Sequence, residues 1–131
     1  MSSPSIDIKD ILESSEAGLT LVYGTDLFIS FEPEAPDFCV TIYDTGGFPP
    51  QSGYTYDYPT IMIRCRGEIY GFIAAYAIME DIKDVLHDRH NETWNSTRYV
   101  GIWAMGDVGL LGYDENNRPL LSLNFRMHRT N

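Results

Sequence analysis

His87-Asp88-Arg89-His90 sets two histidines three residues apart, the nearest thing in this sequence to a metal-ligating pair. Two imidazoles hold a zinc ion only with further donors, and no third ligand stands nearby in sequence. A His-Glu-x-x-His pattern is also absent. The plainer reading is a polar helix C-terminus, where cationic groups favour the helix dipole. Asp114-Glu115-Asn116-Asn117 has the flavour of a calcium loop, but Pro119 and Phe125 stand where that loop needs its glycine and its closing glutamate. A turn is expected there instead. Gly106, Gly109 and Gly112 recur at steps of three, which is not the dinucleotide fingerprint, and no helix follows to hold a phosphate. They read as a bulge or a close backbone approach. Serine, histidine and aspartate are scattered without a nucleophile elbow. Cys39 falls in a strand-like run, where a core thiol is the expectation. These residues predict no catalytic group, no metal and no cofactor, hence no enzyme.

Aromatic side chains offer a different chemistry. Residues 44–58, DTGGFPPQSGYTYDY, crowd Phe48, Tyr54, Tyr56 and Tyr58 between two strand-like runs, with Gly46, Gly47, Pro49 and Pro50 beside them. Long loops in small domains are usually functional or disordered. Rings and prolines suit a protein interface, because they give contact area at little entropic cost. Asp44, Gly46, Gly47, Phe48, Pro49, Pro50, Tyr54, Tyr56 and Tyr58 are therefore the candidate partner-binding residues. The same rings could instead fold back onto their own domain, and the residues alone leave both readings open.

A chain of 131 residues predicts a single domain, 1–131, able to bury a core without a disulfide or a metal. Nine basic and nineteen acidic residues give a net charge of −10, which argues against binding nucleic acid. MSSPSIDIKD lacks a basic stretch followed by an apolar run, and FIAAYAIM (72–79) is too short to cross a bilayer. Cytoplasmic synthesis and no membrane partner are expected. Cys39 and Cys65 then read as buried thiols rather than a disulfide. By the same logic the two glycosylation patterns, at Asn91 and Asn95, read as chance.

Several elements must position the aromatic segment. Residues 1–4 are expected to be a flexible N-terminus. A short amphipathic helix is predicted over 5–15, with Ser5 as N-cap and Gly18 as stop. Strands are predicted over 27–31, 38–43 and 59–67, the last with Ile61, Ile63 and Cys65 on one side. A long helix is predicted over 69–88, from the stripe Phe72, Ala75, Met79, Ile82 and Leu86. Three more strands are predicted over 97–105, 108–113 and 120–129. In the last, Leu121, Leu123, Phe125 and Met127 share one face and Ser122, Asn124, Arg126 and His128 the other. Strands cluster rather than alternate with helices, so the fold class is α+β. The sheet is expected to be mostly antiparallel, packed by one long helix plus a short N-terminal helix. Asn124, Arg126 and His128 are a second candidate surface, at a ring interface or a lumen.

GTDLFISFEPEAPDFCVTIYDTGGFPP (24–50), YPTIMIRCRG (58–67), TRYVGIWAM (97–105) and GYDENNRPLLSLNFRMHR (112–129) together resemble the bacteriophage minor capsid proteins that act as tail terminators in long-tailed phages. Most of the chain is covered, in the same order, with only MSSPS outside. Asn117 departs from the glycine often found in that turn, but asparagine tolerates a left-handed backbone nearly as well. The resemblance implies a virion protein made in the host cytoplasm. It would form a homo-oligomeric ring, usually of six copies, at the head-proximal end of the tail tube. Tail tube protein, the head–tail connector and, in a contractile tail, a sheath would be its partners. DNA would pass through the opening without specific binding. The alternative is another ring of the same particle, a head-completion or tube subunit, since fold alone does not separate these.

Overall fold

The computed structural model describes every residue except Ser52, Tyr54, Thr55 and Asn131. Helix α1 runs from Pro4 to Glu13. Proline suits a first helical position because its missing N–H had no partner there anyway. The helix begins earlier than the sequence predicts: Ser3 holds the N-cap position with no side-chain bond to the helix backbone, its hydroxyl bonding that of Ser5 (3.0 Å), and Ser5 lies inside and buried. After Glu13 a short 3-10 turn, Ser15–Ala17, ends at Gly18, whose φ of 68° is the left-handed stop expected of it.

Among the described residues seven strands form one sheet: β1 (Leu27–Ile29), β2 (Cys39–Phe48), β3 (Tyr56–Arg66), β4 (Arg89–Trp94), β5 (Thr97–Ala104), β6 (Gly109–Tyr113) and β7 (Pro119–Thr130). Their spatial order is β1-β2-β3-β7-β5-β4, with β6 also paired to β7. Strands β1 and β2 pair in parallel and the other named pairs are antiparallel. Strand β3 accompanies β7 along nearly its full length. Strands β5 and β6 therefore share β7's other edge, one after the other, and the Met105 N–H still reaches the Asn124 carbonyl between them (2.8 Å).

Helix α2 (Phe72–Leu86) starts later than the periodicity predicts. Tyr70 sits at φ 54° and Gly71 is the N-cap, so neither belongs to the first turn. Ala75, Met79, Ile82 and Leu86 are buried, as the stripe predicts. Both helices cover the same side of the sheet: Ile8, Ile11 and Leu12 of α1, and that stripe of α2, share one core with Ile42, Ile61, Ile63, Leu123 and Phe125. Within it Asp7 is fully buried. Its carboxylate accepts hydrogen bonds from the Tyr99 hydroxyl and from Asn95 Nδ2 (2.6 Å). Burial pushes the Tyr99 hydroxyl well above the ordinary tyrosine range, and the bond to Asp7 adds to the shift.

The strand β4 was not predicted. Residues 87–90 read as a helix end, whereas the helix stops at Leu86 and Arg89 opens an edge strand. Asn95 and Ser96, both at positive φ, make the two-residue hairpin turn to β5. His87 Nδ1 accepts the Ala104 N–H (3.0 Å), and His90 Nδ1 donates to the Asp88 carbonyl (3.0 Å).

Candidate partner-binding face

The side of the sheet away from the helices divides in two. Over β1 and β2 the proline-rich segment 31–38 folds back as a cover. Arg66 pins it, its Nε donating to the Asp37 carbonyl (3.0 Å) and its guanidinium to the carbonyls of Pro36 (2.8 Å) and Pro33. Arg118, held by Asp114 (2.8 Å), adds a bond to the Glu34 carbonyl (3.0 Å). Cys39 and Thr41 are buried. Burial pushes both thiols up, Cys65 to about 12, so they are core sulfur rather than nucleophiles.

The other half, toward the end of the β2–β3 hairpin, has no such cover among the described residues. Segment 44–58 differs from its prediction here: most of it is strand. Strand β2 continues through Phe48, and β3 begins at Tyr56. The two glycines are a bulge rather than a turn. Pairing shifts between Asp44/Ile61 and Gly47/Pro59, with Gly46 at φ 84° and Gly47 at φ 127°. A Cβ on Gly47 would lie 2.3 Å from the Tyr58 carbonyl oxygen, so only glycine fits. The bulge sets Phe48 directly opposite Tyr58, on the same face as β7's Arg126 and His128.

Two residue sets predicted separately thus meet. Phe48, Tyr58, Trp103, Arg126, Met127 and His128 line a hollow of about 420 Å³. A second hollow of about 360 Å³ shares Phe48 and adds Thr45, Thr60, Met105 and Asn124. The His128 ring lies 4.7 Å from that of Tyr56 and 4.9 Å from that of Tyr58. The Arg126 guanidinium stands 5.5 Å from the centre of the Trp103 ring. Among the described residues Arg126 has no hydrogen bond or ion pair, and the buried Nε2 of His128 has no partner. The basin therefore combines a desolvating aromatic rim with a cation and a ring nitrogen still to be matched.

Other predicted residues stand elsewhere. Asp44 turns to the helix side: its carboxylate accepts the Ser5 N–H (3.0 Å) and the Ser5 hydroxyl (2.7 Å), capping α1 from a distant strand. Pro49 and Pro50 follow the end of β2 and are exposed. Tyr54 lies outside the described residues. Trp103, which lines the basin, was not predicted. The available signal was Gly101, two positions earlier in the same strand. A Cβ there would meet the indole at 2.1 Å, so the ring lies over bare backbone.

A family model described as "Bacteriophage tail terminator protein" matches residues 16–131. A search of curated proteins finds no match. Among solved structures, a chain from "Virion of native gene transfer agent (GTA) particle" superposes with a TM-score of 0.72 at 14% identity, covering 98% of this chain and 96% of that one. At that identity the likeness establishes the fold.

Proposed function

The chain belongs to the bacteriophage tail terminator family and is a structural protein of the phage tail; from that premise we propose that it assembles into a closed ring, six copies in the form usual for the family, at the head-proximal end of the tail tube. The ring ends tube polymerisation and presents its opposite surface to the head–tail connector. In a contractile tail it also meets the sheath. It is assembled in the host cytoplasm and acts without catalysis. DNA passes through its opening unbound, since a net charge of −10 per copy repels phosphate.

The observation that carries this reading is the basin. Arginine and large aromatics dominate interface energetics where they are desolvated together. Here, among the described residues, Arg126 and His128 are left unmatched within a rim of Phe48, Tyr58 and Trp103. The basin takes an acceptor-bearing segment of tail tube protein, a carboxylate or backbone carbonyl flanked by apolar side chains. The exposed Phe48-Pro49-Pro50 stretch lies alongside as a stiff second contact. In the double variant Phe48→Ala with Arg126→Glu, the chain stays folded and tube affinity falls on the order of 30-fold or more, the loss of one hot spot. Tails assembled with it lose their defined length in electron micrographs. Tails of unchanged length would remove the basin from termination.

A further inference from the structure

Helix α2 opens with FIAAYAI, apolar on every side, and turns polar outward only from Glu80. A helix apolar all round is normally buried all round. This one is not: Ile73 is 84% exposed, and just before the helix Tyr70 is 71% exposed with Ile69 beside it. The adjoining element is β6, whose Tyr113 ring lies 6.3 Å from that of Tyr70 and whose Leu110 and Leu111 are also exposed. Strand β4 covers β5 alone, so among the described residues β6 has no strand on its outer side. Strand β4 itself reads Arg-His-Asn-Glu-Thr-Trp; with Trp94 packed against the core, what it exposes is the charged and polar edge that discourages pairing. The apolar part of this margin is thus confined to β6 and the start of α2.

The opposite margin of the sheet ends in β1. There Val22, Tyr23 and Phe31 are each about half exposed. Strands β2, β3 and β7 lie between the two margins, a separation of roughly 19 Å at the usual strand spacing. One molecule therefore carries two different uncovered apolar margins on opposite sides of a rigid sheet. We propose, building on the ring reading above, that the occupant of the β6–α2 margin is the β1 margin of a second copy of this chain. Each copy then gives one margin and receives the other. Such a head-to-tail contact is heterologous and closes into a ring when its rotation divides a full turn. It leaves the Arg126 basin, on the sheet's open face, free for a partner other than the chain itself.

Two surface variants test this: Ile73→Asp with Leu111→Asp on one margin, and Val22→Asp with Phe31→Asp on the other. Each should keep the wild-type circular dichroism and run as a single chain by light scattering, while wild type runs as a ring. If a double variant misfolds, Ile73→Asp or Val22→Asp alone takes its place. Mixing the two is the decisive step. The first retains a sound β1 margin and the second a sound β6 margin, so the mixture should give a one-to-one dimer that grows no further. Rings that persist in both variants would overturn the proposed surfaces while leaving the ring reading intact. Either variant pairing with itself, or a mixture that stays single-chain at high concentration, would overturn the head-to-tail contact. A wild-type chain that stays solitary would overturn the ring reading and this inference together.

Discussion

On the helix side of β7, Leu121, Leu123, Phe125 and Met127 are sealed to within 1% of full burial. On the opposite side of the same strand, Asn124 and Arg126 stand exposed and His128 half-buried, with aromatic rings around them but no anion or acceptor among the described residues. The backbone is common to both, and so is the neighbouring strand β3. What differs is whether folding completes the interactions. The helix side is closed by α1 and α2, and its buried carboxylate, Asp7, has its donors. The open side keeps unmatched groups that folding neither needs nor satisfies. Stability is located on one face and recognition on the other, so substitutions should separate them.

The largest effect belongs to the finished face. Phe125→Ala removes a fully buried ring from the core that the helices share with the sheet, and should lower unfolding free energy by about 3–5 kcal/mol in urea titrations. A loss under about 1 kcal/mol would mean that the helices are not closing that face as described. Next comes the polar link within it. Tyr99→Phe leaves Asp7 buried without its hydroxyl donor, a cost of about 1–3 kcal/mol. The pH dependence carries a sign. The folded state raises the Tyr99 pKa, so its contribution is fully present below about 10 and is lost as pH rises beyond the unfolded tyrosine value. Wild type should therefore lose more stability than Tyr99→Phe between pH 8 and pH 11. Equal losses would show that Tyr99 is not held as a neutral donor.

The two faces were unequally legible. The period-two alternation of β7 is strong, because one side must be apolar throughout, and it placed Asn124, Arg126 and His128 together before any coordinates. The stripe of α2 was equally plain. Segment 44–58 misled because Gly46-Gly47 punctuates a turn and a bulge alike; only pairing with β3 decides between them. Strand β4 escaped because a short, half-exposed edge strand with Trp94 as its one large apolar residue shows no apolar period, and its one clear mark was the Asn95-Ser96 turn. Trp103 escaped for a related reason. Its place over Gly101 depends on the register shift between Tyr99 and Gly101, which is a property of the pairing with β7 rather than of β5 alone.

The smallest effect on stability is the most informative. Arg126 is exposed and, among the described residues, its side chain is held by nothing firmer than the Trp103 ring, so Arg126→Ala should change unfolding free energy by no more than about 1 kcal/mol, the worth of a cation–π contact at an exposed site. Tail binding should nonetheless fall steeply, with Arg126→Lys recovering only part of the loss. A lysine restores the charge over the indole but not the planar fork that grips a carboxylate. A lysine variant that binds as well as wild type would reduce the basin to a charge requirement. An alanine variant that loses stability and binding in proportion would erase the distinction between the two faces of β7, because Arg126 would then be holding the fold together rather than waiting for a partner.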